Sequence, residues 1–401
     1  MITIMSTVMT MVNVETLVKQ PKKSGVPKSL RTFVIPIAIV ILVSFALGIT
    51  WGLKLRHDRE IAIGVAKPSS VLRILTFKNL LRSELIAGYE NRSSTKIELT
   101  EVGTPEELWE RLESTAAKDG YDLISLYSYQ IPLAMQMGRI QPIDVSQIKN
   151  LDIVSPDFRH LPGDPSLAQA VPILWGLTGL IYNSSQIKDP DTVQSWLEIL
   201  KNRDFSGKVG LLSSTIDLLR LADLMHASSE TSPSSFAMSA GSASVTVQKL
   251  LQPILSLPFV VLASDYLSGS SLLAGTNPPS VMQINHGETA FLPATSQTSS
   301  AWKFVVPVEG ATLWTLDLAL TRDAHSVREA SSFLDYLLEP GPATQLVNAF
   351  HQASTNRELN KSGIDNRLKP SYLRQMPLSQ MTVWQDFSRA RETRALLKAR
   401  Q

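Results

Sequence analysis

Blocks of apolar and polar positions along residues 70–350 change period in a way that predicts alternating strands and helices. Leu72–Phe77 is rich in apolar residues and suits a core strand. Leu80–Tyr89 follows at helical spacing, and Lys96–Val102 alternates with β-branched residues as a second strand. Thr104-Pro105-Glu106-Glu107 has a capping hydroxyl, a proline at the first helical position and acids in the first turn, so a helix runs on through Leu108, Leu112 and Ala116. Tyr121–Leu126, after Gly120, is a third strand. This rhythm predicts a mainly parallel sheet with helices on both faces. Ligands of such sheets gather at the carboxyl ends of the strands, which singles out Phe77–Asn79 and Tyr127–Tyr129.

The pattern repeats downstream. Ser195–Lys201 and Thr215–His226 read as helices around a strand at Lys208–Leu212. Ser228–Ser244 is a serine-rich loop, and Val245–Leu255 returns to helix. Ser280–Ile284 and Phe304–Val306 are candidate strands. Ser326–Leu338 is a helix ended by Pro340-Gly341-Pro342, a second starts at Ala343–Phe350, and the last forty residues read as helical and polar.

Two stretches stand apart from this alternation. Val171–Asn183 is almost wholly apolar and uncharged, with Gly176 and Gly179 in mid-run arguing against a helix. It reads as an extended segment, bent near Trp175-Gly176, that passes from one lobe to another. Phe304–Pro307 with Leu313–Leu320 has the same character and suits the return. Each lobe is then discontinuous, with a cleft between them.

Phe33–Leu53 carries no charged side chain over 21 residues. As a helix it spans about 30 Å, the thickness of a bilayer core. Trp51 lies near its far end, and basic residues are denser before it than after it, so the amino terminus is expected in the cytoplasm and the body outside. A single span cannot enclose a channel.

Composition refines this picture. With 401 residues, 44% of them hydrophobic, two lobes of ordinary size are expected. Taking the eight basic and three acidic residues of 1–60 from the totals of 38 and 36 leaves 30 and 33 in the body. A mildly acidic body has no basic face for nucleic acid. The absence of cysteine excludes a thiolate nucleophile, a cysteine zinc site and disulfides. The six histidines have no metal-ligand spacing, and neither a Gly-x-Ser-x-Gly elbow nor a phosphate-cradling loop occurs. No catalytic residue, cofactor or metal is expected. Phe77, Tyr127, Tyr129, Trp175, Asp217, Trp314, Asp317 and Trp384 remain as aromatic and acidic residues near the cleft, with Trp175 better read as core.

AVPILWGLTGLIYNSSQIKDPDTVQSWLEIL at 170–200, Tyr121-Asp122-Leu123, Gly138–Asp144, the stretches 302–320 and 326–342, and Trp384-Gln385 occur together in one order. This combination resembles the spermidine/putrescine-binding proteins of ABC importers. The resemblance covers about residues 70–390 and implies an α/β fold of the type II periplasmic-binding-protein class. It also implies ligand contacts at Phe77, Lys78, Asn79, Tyr127, Tyr129, Ser214, Asp217, Trp314, Asp317 and Gln385. That family holds amines between aromatic faces and carboxylates. Here Phe77 stands for a tryptophan, Asp217 for a glutamate and Ser214 for an aspartate. The aspartate expected two after Trp314 is Leu316, and Asp317, one step on, falls on the opposite face of a strand.

The expected organisation is a cytoplasmic tail at 1–32, a membrane anchor at 33–55, a linker at 56–70, one lobe from 71–175 with 317–365, and a second from 176–316 with 366–401. The expected role is a solute-binding protein, anchored to the inner membrane with its body in the periplasm. Its partners are a small polar solute and an ABC permease. The competing expectation is a sensory or interaction protein with a degenerate cleft, acting through a membrane partner.

Overall fold

The computed structural model describes residues 70–114, 120–187, 189–212, 217–219, 221–222, 260–263, 278–292, 301–376 and 381–383. In chain order these form strand β1 (Ser70–Phe77), helix α1 (Ser83–Glu90), β2 (Thr95–Val102), α2 (Pro105–Ser114), β3 (Leu123–Tyr127), α3 (Ile131–Gln136), β4 (Ile140–Gln141), β5 (Ala170–Asn183), α4 (Trp196–Lys201), β6 (Val209–Leu212), β7 (Val260–Ala263), β8 (Val281–Asn285), β9 (Trp302–Val305), β10 (Ala311–Thr321), α5 (Val327–Leu337), α6 (Pro340–Phe350), β11 (Ala353–Ser354) and β12 (Met381–Val383).

Local chemistry sets many of these boundaries. The Thr104 hydroxyl accepts the Glu107 N–H at 3.1 Å, and the Glu107 carboxylate accepts the Gly103 N–H at 2.8 Å, so both ends of the α2 start are pinned. Ser195 caps α4 by accepting the Glu198 N–H, and Glu309 accepts the N–H groups of Trp196 and Leu197. Asp122 is buried and accepts N–H groups from Arg73, His325 and Ser326, which fastens the approach to α5 onto β1. Pro340-Gly341-Pro342 does not delay the next helix: α6 begins at Pro340, where a missing N–H costs nothing. His351, at φ 56°, ends it.

The main sheet runs β2-β1-β3-β10-β5-β8-β6-β7, with β4 and β12 also paired to β10 and β9 and β11 to β5. Pairs β1–β2, β1–β3, β6–β7 and β6–β8 are parallel, as the sequence rhythm predicts within each group. The two long central strands depart from that expectation: β10 is antiparallel to β3 and β5, and β5 is antiparallel to β8. These are the two stretches read as crossings. They lie side by side, and every residue of β10 is buried, as is all of β5 except Asn183.

The ladder of β5 with β10 has an irregularity just before Trp175-Gly176. Leu316 faces Leu174 but Asp317 faces Pro172, so Ile173 is left over in the ladder. Pro172 has no N–H to donate there, which explains the position of the irregularity. Of the last forty residues, read as helical, the described ones form short 3-10 turns at Asn366–Leu368 and Pro370–Gln375 and the strand β12, parallel to Ala311–Leu313; the rest of that stretch lies outside the described residues. The segments read as anchor, serine-rich loop and Val245–Leu255 helix lie outside the described residues. No helix among the described residues is long and apolar enough to cross a membrane. Pro68–Gln401 form one compact unit, with a large hydrophobic core running from β1 and α1 through β5 and β10 to β6 and a small second cluster of Ile181, Leu212, Met282 and Ile284.

Candidate functional site

The strand directions define a meeting point. Strand β3 lies along the first part of β5 and points the same way, since both oppose β10. Tyr127 faces Leu316, which in turn faces Leu174. Strand β8 comes from the other end of β5 and stops where Asn285 faces Thr178. The carboxyl ends of the two parallel groups therefore point at each other along β5, separated by the span Leu174–Thr178, about 13 Å of extended chain.

Trp314 occupies this span. It faces Gly176, and a Cβ placed on Gly176 would sit 2.1 Å from Trp314 Cζ2, so the indole lies directly on bare backbone. Its Nε1–H donates to Thr178 Oγ1 at 3.1 Å and to Asn285 Oδ1 at 3.3 Å. The Thr178 hydroxyl donates to the same Asn285 oxygen at 2.8 Å, and Asn285 Nδ2 donates to Glu288 Oε1 at 3.2 Å. Side chains of β5, β8 and β10 are thereby joined in one buried polar chain.

Aromatic residues from the first group close over the other side. Tyr127 meets Trp314 edge-on at 5.2 Å between ring centres and lies parallel to Tyr129 at 5.2 Å. Phe77 packs on Tyr127 at 5.2 Å and on Phe350 at 6.4 Å. All of these rings are buried. Each such pair contributes ~0.5–1.5 kcal/mol beyond area burial. The structure thus brings together four of the expected ligand residues, Phe77, Tyr127, Tyr129 and Trp314. Aromatic faces attract cations, and here the rings pack on one another beside an amide, a hydroxyl and a carboxylate that are hydrogen-bonded in one chain.

The other expected residues are placed differently. Lys78 and Asn79 are exposed. The Lys78 N–H donates to Val102, and Asn79, at φ 65°, donates its N–H to Glu101 Oε1, so the chain turns out to solvent immediately after Phe77. Asp317 is on the far face of β10, as the period of two requires. Its Oδ2 accepts the Thr315 hydroxyl at 2.9 Å, and the carboxyl lines a cavity of about 20 Å³ with Ser128, Thr315 and Asp164. That volume holds about one water molecule. Burial pushes the Asp317 carboxyl well above the usual range, and the negative charge of Asp164 adds to this. Asp217 is buried near β8, where its carbonyl accepts from Gln283 Nε2 at 3.4 Å. Ser214 and Gln385 lie outside the described residues.

Thr178, Asn285 and Glu288 are not among the ligand contacts expected from the sequence. The signal was present for Thr178, the one aliphatic hydroxyl within an apolar run, but its partner is 107 positions away. His286, next to Asn285, serves the opposite face. Its Nδ1 accepts the Leu177 N–H at 3.0 Å, its Nε2–H donates to the Arg367 carbonyl at 3.1 Å, and its ring stacks on Trp175 at 4.3 Å. Burial pushes its pKa down to about 3, so it is a neutral pin between strands. Trp175, fully buried between His286 and Phe158, is core as expected. Among the described residues no group of acids and histidines has the makings of a metal site.

Comparison with known proteins bears on this geometry. The family model for bacterial extracellular solute-binding proteins matches residues 84–360. The spermidine/putrescine-binding periplasmic protein of Escherichia coli (strain K12) is 23% identical over 318 residues, covering 78% of this chain and 86% of that protein. The spermidine/putrescine ABC transporter substrate-binding protein of Streptococcus pneumoniae superposes with a TM-score of 0.63 at 15% identity, over 82% of this chain and 99% of that one. A lipoprotein of Treponema pallidum gives a TM-score of 0.63 at 16% identity, over 82% and 98%. These structures share the type II periplasmic-binding-protein fold, with its mixed α/β sheet.

Proposed function

The chain belongs to the bacterial extracellular solute-binding proteins, and from that premise we propose that it captures a small polar solute of amine character and delivers it to an ABC permease. The observation that carries this reading is the convergence of two sets of strand ends on Trp314, with aromatic faces on one side and Asn285 and Glu288 on the other. A cation is held where π-faces and a hydrogen-bonded carboxylate meet. The names of the relatives, spermidine/putrescine-binding, point to the same ligand chemistry.

In this reading β5 and β10 are the hinge. Residues 71–175 with 317–365 move as one lobe, and 176–316 with 366–401 as the other, so that closure brings Phe77 and Tyr127 against Asn285. Solute binding then shifts the balance between open and closed forms. Residues 33–55 tether the body outside the membrane.

The test is a calorimetric titration of the protein with spermidine, putrescine, basic amino acids and small anions. Saturable binding of an amine supports the proposal, and silence to every compound contradicts it. Two observations favour a second reading, that of an interaction or sensory protein with a closed-up cleft: the Trp314 N–H is already satisfied by Thr178 and Asn285, and Asp317 faces away. Under that reading no solute binds, and purification from membranes recovers a protein other than a permease.

A further inference from the structure

Gln352 is 1% exposed, yet neither its Oε1 nor its Nε2 has a hydrogen-bond partner. A glutamine amide can donate twice and accept twice, and burying it unpaired costs stability. Chain neighbours tie it to the proposed solute site. Its Oε1 lies 2.9 Å from where a Cβ of Gly287 would stand, and Gly287 lies between Asn285 and Glu288 in sequence. Phe350, two residues earlier, packs on Phe77. Ala353, the next residue, is the ladder partner of Trp175, so the alternation of an extended chain directs Gln352 to the other face, that of Gly176 and Trp314.

From this we infer that Gln352 determines specificity and that the solute carries, besides its amine, a carboxamide or urea group that donates and accepts hydrogen bonds side by side. This rests on the amine reading of the site proposed above. An unsubstituted diamine presents only N–H donors; it can engage Oε1 but leaves both Nε2 hydrogens buried and unpaired. A carboxamide or urea satisfies both amide atoms at once. The class is therefore a monoacylated or carbamoylated diamine, or an ω-amino carboxamide. Sites built for such a pair reject analogues that leave one of its members unpaired.

The experiment is calorimetry on the full chain with three probes, putrescine, N-acetylputrescine and N-carbamoylputrescine, on the wild type and on Gln352→Leu and Gln352→Glu. The expected result is that the acylated and carbamoylated probes bind at least about tenfold more tightly than putrescine. Gln352→Leu collapses that ratio toward one, and Gln352→Glu, which only accepts, turns the preference toward putrescine. Melting of the ligand-free protein supplies a second readout: Gln352→Leu removes an unpaired amide and is expected to melt higher than wild type. Putrescine binding as tightly as its derivatives overturns this inference and leaves the amine site standing. No binding of any of the three overturns both. A lower melting temperature for Gln352→Leu with an unchanged ligand preference assigns the amide a structural role and also overturns the inference.

Discussion

The indole of Trp314 lies against the bare backbone of Gly176, its partner across the β10–β5 ladder, with no room for a methyl group between them. A side chain at 176 must displace the ring that carries the hydrogen bonds to Thr178 and Asn285. Gly176→Ala is therefore expected to destabilise the protein by ~1–3 kcal/mol, as overpacking does, and Gly176→Val by more. Urea titration reads the stability, and tryptophan emission reads the displacement. An alanine variant as stable as wild type would show that the indole has an alternative seat.

Asn285 accepts from Trp314 and Thr178 and donates to Glu288, so it ties three strands with one side chain. Asn285→Leu strands these buried groups and is expected to cost about 1–3 kcal/mol for each one left unpaired. The loss should be strongly non-additive with Thr178→Val, because both changes break the same network. A double-mutant cycle checks this; simple additivity would mean that the network does not act as a unit.

Two buried groups predict opposite pH slopes. His286 stays neutral in the folded protein down to about pH 3 but takes up a proton in the unfolded chain near its ordinary value of 6.5. Its contribution is thus present above pH 6.5 and lost as pH falls, by up to ~1.4 kcal/mol per unit. Denaturant titrations at pH 7 and pH 5 should show this loss, and His286→Gln should flatten the difference. An unchanged slope in the variant would show that His286 is protonated in the native state.

Asp317 works in the other sense. Its folded value is raised by burial, so the native state holds a proton that the unfolded chain has released, and its penalty grows as pH rises above the ordinary carboxylate range. Asp317→Asn keeps the shape of the protonated acid and is expected to raise the melting temperature at pH 8 but not at pH 4. Because the side chain faces away from Trp314, solute affinity should change little. A large loss of affinity would place Asp317 in the binding surface.

What could be read from the chain follows from the range of the interactions. The two long central strands were legible because long uncharged runs interrupted by glycine leave few alternatives to a buried strand. The face of Asp317 followed from the period of two alone. The α6 start was misread because prolines break helices everywhere but in the first turn. The short strand Val260–Ala263 was missed, since four apolar residues do not announce their partner. The pairing of Thr178 with Asn285, and so the polar half of the site, depends on which strands become neighbours. No local pattern encodes that.

The position of a bound solute is the most direct test of the site around Trp314. A crystal structure of the protein with its tightest-binding amine should show the molecule touching Tyr127 or Phe77 on one side and Asn285 on the other, beside Trp314. A solute bound in the Asp317 cavity, or on an outer surface away from the facing strand ends, would contradict it.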